Sequence, residues 1–103
     1  MTIIKKISEM IEEELEGAEH YAKCAVKHKD SDPTLAKTFY DISLDEMRHV
    51  TLLHDEVVKI IEMHRKEHGE PPAVMMAVWE YMHERHIEQA NDVKMYQAQY
   101  KGA

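Results

Sequence analysis

DEMRHVTLLHDE, residues 45–56, lies in the middle of a run with helical periodicity. Glu46 and His49 are three positions apart, so on an α-helix they share a face. That face reads Leu35, Phe39, Ile42, Glu46, His49, Leu53, Val57 and Ile60, an apolar stripe interrupted by a carboxylate and an imidazole. Apolar residues recurring every three or four positions specify an amphipathic helix. Strand-favouring clusters are absent, and Ala, Glu, Lys, Met, His and Leu are frequent, a helical composition.

Two punctuation marks bound this run. In KDSDPT, residues 29–34, Asp32 is placed to cap a helix and Pro33 fits its first turn, where a missing N–H costs nothing. In HGEPPA, residues 68–73, Gly69 suits the left-handed end of a helix and the two prolines forbid simple continuation. Helices are therefore expected at about 2–29, 33–67 and 72–100. The expected fold is all-α: an antiparallel helical hairpin plus a long third helix, in one domain, as suits 103 residues. The third helix carries its own stripe at Met75, Trp79, Met82, His86, Ala90, Val93, Tyr96 or Gln97, and Tyr100.

Composition excludes several classes. The net charge is −7 and no basic run exists to displace counterions, so a nucleic-acid partner is not expected, whereas cations are attracted. The single cysteine, Cys24, rules out a disulfide within the chain and a Cys-rich zinc or rubredoxin-type site. Among Ala22, Ala25 and Val26 it reads as a small buried thiol. No stretch approaches the ~18 apolar residues of a membrane span. MTIIKKISEMIEEE, residues 1–14, is amphipathic and acidic and lacks a secretory h-region, so the expected location is cytoplasmic.

The first helix carries a stripe at Ile4, Ile7, Ile11, Glu14, Ala18, Tyr21 and Ala25. In an antiparallel hairpin Glu14 and Glu46 both lie ~20 Å from the turn. Glu14, Glu46 and His49 are thus expected to meet at one level in the interior. Facing buried carboxylates repel unless a cation joins them, and Lys23 and Arg48 fall off the face. Carboxylate oxygens with an imidazole nitrogen suit iron, manganese or zinc better than calcium or magnesium. Four-helix di-iron carboxylate bundles take one Glu from each of two helices and a Glu-x-x-His pair from each of the others. One copy of this chain supplies half of such a set, and a two-fold dimer would supply all of it.

EELEGAEHY, residues 13–21, places Tyr21 seven positions after Glu14, and with DEMRH, residues 45–49, it resembles the rubrerythrin branch of the ferritin-like superfamily. The hairpin is especially similar to encapsulated ferritins, short chains that carry half a site; the likeness covers about residues 8–62. It implies a ferritin-like bundle completed by dimerisation, in a homodimer or larger assembly. It also implies a di-iron centre on Glu14, Glu46 and His49 with Tyr21 close by, and acidic residues at Glu13 and Glu16 along an iron path. The implied activity is oxidation of Fe(II) by dioxygen or peroxide, in iron handling or oxidative-stress protection. The chain departs from that pattern in its long third helix and in lacking a Cys-rich electron-transfer domain. An encapsulin shell is a conceivable partner, but YQAQYKGA, residues 96–103, is not recognisable as a targeting peptide.

Each reading has a plainer counterpart. Tyr21 is equally a core residue with its hydroxyl satisfied, and Glu13 and Glu16 fit a solvated face. Glu80-Tyr-Met-His83 is a second Glu-x-x-His that would complete the site within one chain, although it falls beside the apolar stripe. His64 and His68 suit a helix C-terminus on dipole grounds. The methionines read as adaptable core filler. The alternative to metal chemistry is a helical oligomerisation or metal-binding module, in which a buried Glu/Glu/His layer sets register.

Overall fold

A computed structural model describes residues 2–102. It contains α1 (Thr2–His28), α2 (Pro33–His68) and α3 (Ala73–Lys101), and no strand among the described residues. Each helix end lies within one residue of the expected position. The caps supply the reason. The Asp32 carboxylate accepts the Leu35 N–H at 3.2 Å, and Pro33 occupies the first helical position. Gly69, at φ 81°, donates its N–H to the Arg65 carbonyl at 3.1 Å and ends α2. Only glycine reaches that φ without a steric penalty.

The contacts give the helix directions. Glu14 meets His49 and Tyr21 meets Phe39, so α2 runs back along α1. Glu12 meets Arg85 and Lys29 meets Gln99, so α3 runs parallel to α1. One hydroxyl ties all three helices. Ser43 in α2, fully buried, donates to the Ala18 carbonyl of α1 at 2.7 Å and accepts from Gln97 Nε2 of α3 at 3.0 Å. Nearby, Tyr40 and Tyr100 stack with centroids 4.6 Å apart.

The core has two parts. Toward the α1 N-terminus, Ile4, Ile7, Ile11 and Leu15 pack with Val57, Ile61 and Trp79. Toward the α1 C-terminus the buried residues are small: Ala18, Ala22 and Ala25, with Ala36 and Ser43 on α2. Small side chains let helix axes approach closely there. The bundle measures 56 × 20 × 18 Å, a rod rather than a ball.

The position of α3 corrects the expected interior. On α1 the buried line runs through Leu15, not Glu14, and on α2 it runs through Ala36, Ser43, Val57 and Ile61. Leu35, placed in the expected α2 stripe, is 38% exposed. The most covered line is where three helices meet, as at Ser43, which bonds to both α1 and α3. Glu14 and His49 therefore lie at an edge of the α1–α2 pair, while Ile4, Ile7, Ile11, Ala18 and Ala25 of the expected α1 stripe and Val57 of the α2 stripe are buried as expected. Among the described residues, no helix is long and apolar enough to cross a membrane.

Candidate metal centre

Glu14 is held midway along α1, and Glu46 and His49 lie one turn apart on α2. Antiparallel packing brings the three to one level. A ligating atom from each lies within 4.8 Å of the other two, and no other group of three or more histidine, cysteine or acidic side chains among the described residues does so. His49 Nδ1 is 3.3 Å from Glu14 Oε2. Ligands about 2.1 Å from one ion lie up to roughly 4 Å from each other, so a slight contraction would close the set.

Gly17, one turn after Glu14, leaves room beside the second carboxylate. A Cβ at that position would lie 3.5 Å from Glu46 Cδ and Oε2. A methyl would make ordinary contact, whereas a longer side chain would compete with the carboxylate for the same space. The sequence reading missed this glycine, although its place three residues after Glu14 was a usable signal.

The electrostatics fit a cation. A hydrogen bond with Glu14, then burial, then repulsion by the Glu14 charge push the Glu46 carboxyl up to about 7. Two carboxyls this close hold a proton between them because both charges together are unfavourable. Neither Lys23 nor Arg48 relieves them, since Lys23 pairs with Glu19 at 3.3 Å and Arg48 with Asp45 at 3.5 Å, and His49 offsets the rise at Glu46 only in part. Two carboxylates and an imidazole form a donor set that suits iron, manganese or zinc. The centre is nevertheless open, with Glu14 29% and His49 44% exposed at their side chains. A single chain therefore leaves one side of any bound ion to solvent or to another protein surface.

The remaining candidates separate from this centre. Tyr21 is half-buried, with its ring 6.0 Å from Phe39 and 5.7 Å from His20. Glu13 and Glu16 are exposed. Glu80 is exposed too, while His83 turns toward His54 and Trp79 at 4.9 and 5.4 Å, so this pair does not join Glu14, Glu46 and His49 within one chain. His64 reaches the Gly69 carbonyl at 3.1 Å and so closes the end of α2. Cys24 is half-buried rather than buried, with Sγ 3.9 Å from His20 Nε2, because its position faces the edge of α1 and not the three-helix seam.

No protein-family model, curated protein or solved structure matches the chain significantly.

Proposed function

We propose that the chain is a ferritin-like di-iron carboxylate protein that takes Fe(II) as substrate and oxidises it with dioxygen or peroxide. The observation that carries the reading is the convergence of Glu14, Glu46 and His49 at one level of an antiparallel helix pair. That set is half of the ligand complement of di-iron bundles. In this reading two copies meet about a two-fold axis and bring both Glu-x-x-His pairs together.

The exposed apolar residues support such a meeting. In steps of seven, Ile3 and Met10 share a face with Gly17, and Leu35 and Met63 share a face with His49; all four are exposed. Leu52, one turn beyond His49, is exposed as well. A second copy laid on this face would cover them and shield the centre from water.

Each residue has a role under this proposal. Glu14 and Glu46 supply anionic oxygens and His49 a neutral nitrogen. The proton that Glu46 holds near neutral pH is released as cations arrive, so binding strengthens as pH rises through 7. Two Fe(II) ions supply two electrons, which with two protons reduce dioxygen to hydrogen peroxide or hydrogen peroxide to water. Tyr21, one face-repeat beyond Glu14, is the nearest phenol in sequence for a supporting hydrogen bond. Manganese or zinc would occupy the same donors without this turnover.

The test is anaerobic loading with Fe(II) followed by air, with ferric absorbance followed in the parent and in a Glu46→Ala/His49→Ala variant. Fast ferric formation is expected only in the parent, with two irons per dimer. Equal rates in both proteins, or two irons bound per monomer, would overturn the proposal. The direct Glu14–His49 contact favours one rival reading, a register-setting polar layer. That rival predicts an unchanged dimer and no metal dependence in Glu46→Leu/His49→Leu.

A further inference from the structure

A cavity of about 430 Å³, whose wall includes none of Glu14, Glu46 and His49, is bounded by all three helices. Its wall includes three imidazoles, His54 from α2 and His83 and His86 from α3, set among apolar residues such as Ile11 and Val50. His86 is only 5% exposed, and neither of its ring nitrogens has a hydrogen-bond partner among the described residues; His83 Nδ1 has none either. The single tryptophan, Trp79, lies against all three rings, with centroid distances of 5.9, 5.4 and 6.5 Å to His54, His83 and His86.

A neutral imidazole carries one N–H donor and one lone pair, and burying both unmatched is costly. His86 is left in that state at both nitrogens and His83 at one, with the half-buried His54 beside them, so the cavity wall offers lone pairs to an acceptor. Leu, Phe or Val at these positions would fill the same space without the penalty.

We propose that this cavity is a second metal site, distinct from the carboxylate centre, which takes one first-row divalent cation with a preference for imidazole nitrogen, such as zinc or cobalt(II), on His54, His83 and His86. Burial lowers the proton affinity of His83 and His86, and the neighbouring His54 lowers that of His83 further, so both rings keep lone pairs at neutral pH. Glu12 opposes the effect at His86 and Glu84 at His83, and Lys94 also borders the cavity but is exposed, which leaves its ammonium in water. The three ring nitrogens do not converge within 4.8 Å as the ligand atoms of the carboxylate centre do. Binding therefore requires the rings to turn about their terminal torsions, which are broad and soft, within a cavity that has room for it. His54 gives up a 3.7 Å approach to Asp55 and shifts its packing against the Trp79 and His83 rings when it turns. An all-nitrogen donor set discriminates against the iron proposed for the carboxylates, so the two sites select different metals.

Cobalt(II) is the probe, because it quenches a nearby indole and its nitrogen-rich complexes absorb in the visible. The full chain is titrated with Co(II) while the fluorescence of Trp79 is followed, in the parent and in Glu46→Ala/His49→Ala, which lacks the first site. Saturable quenching at one equivalent per chain is expected in both. His54→Gln and His83→Gln, at half-buried positions that tolerate a polar side chain, are expected to weaken it at least about tenfold with an unchanged circular-dichroism melt. Two results would overturn the proposal: no saturable quenching in the parent, which leaves the cavity to water, or quenching lost in Glu46→Ala/His49→Ala but kept in His54→Gln. Neither bears on iron oxidation at the carboxylates, so this site and that activity stand or fall separately.

Discussion

Replacing Glu46 with glutamine should separate fold stability from cation binding. In the metal-free protein Glu46 is raised from 4.5 to about 7. The folded state therefore binds this proton more tightly than the unfolded chain does. Its stabilising contribution is complete below about pH 4.5 and is lost as pH climbs through about 7. At about 1.4 kcal/mol per pH unit the full displacement corresponds to roughly 3 kcal/mol. The carboxyl is partly open to solvent, whose screening reduces this to about 1 kcal/mol. Glutamine keeps a donor toward Glu14 and has no charge to lose. Without metal, Glu46→Gln should match the parent near pH 5 and exceed it at pH 8 by about 1 kcal/mol, a rise in Tm of roughly 4–8 °C for a domain of this size. With anaerobic Fe(II) at a hundred times Kd the order reverses, since the parent gains about 2.7 kcal/mol that the variant does not. Thermal melts at both pH values, with and without Fe(II), test all four corners. A variant no more stable at pH 8, or one still stabilised by Fe(II), would refute the picture of two crowded carboxyls awaiting a cation.

Ser43→Ala removes the hydroxyl shared by three helices and leaves Gln97 without its partner, so urea denaturation should show a loss of about 1–3 kcal/mol. Gly17→Ala should stabilise the metal-free protein by about 0.5–1 kcal/mol through helix propensity, while Gly17→Leu should weaken Fe(II) binding by crowding Glu46. The two are compared by melting and by metal content after desalting. Asp32→Ala deletes the cap on α2 and should cost about 1 kcal/mol, with little effect on metal content because the centre lies far along the helix.

Much of the fold was legible in the chain because its signals are local. The DSDP cap, the HGEPP stop and the three-four spacing of apolar residues each act within a turn or two of helix, and they set the helix ends to within a residue. The site triad was legible for a related reason. In an antiparallel pair joined by a short turn, equal distance from the turn means equal height, so Glu14 could be matched with Glu46 and His49 by counting. Depth follows no such count. Each helix has more than one partly apolar face, and the face that is buried depends on where the third helix settles. The α3 helix settles where Leu15, Val57 and Trp79 can pack together, which leaves Glu14 and His49 on an open edge and turns His54, His83 and His86 inward. Residue order alone determined three helices and one level shared by two carboxylates and an imidazole. Only the tertiary packing decided that this level is half-exposed and that a separate cluster of imidazoles lines a cavity, because burial is set by contacts between residues far apart in the chain.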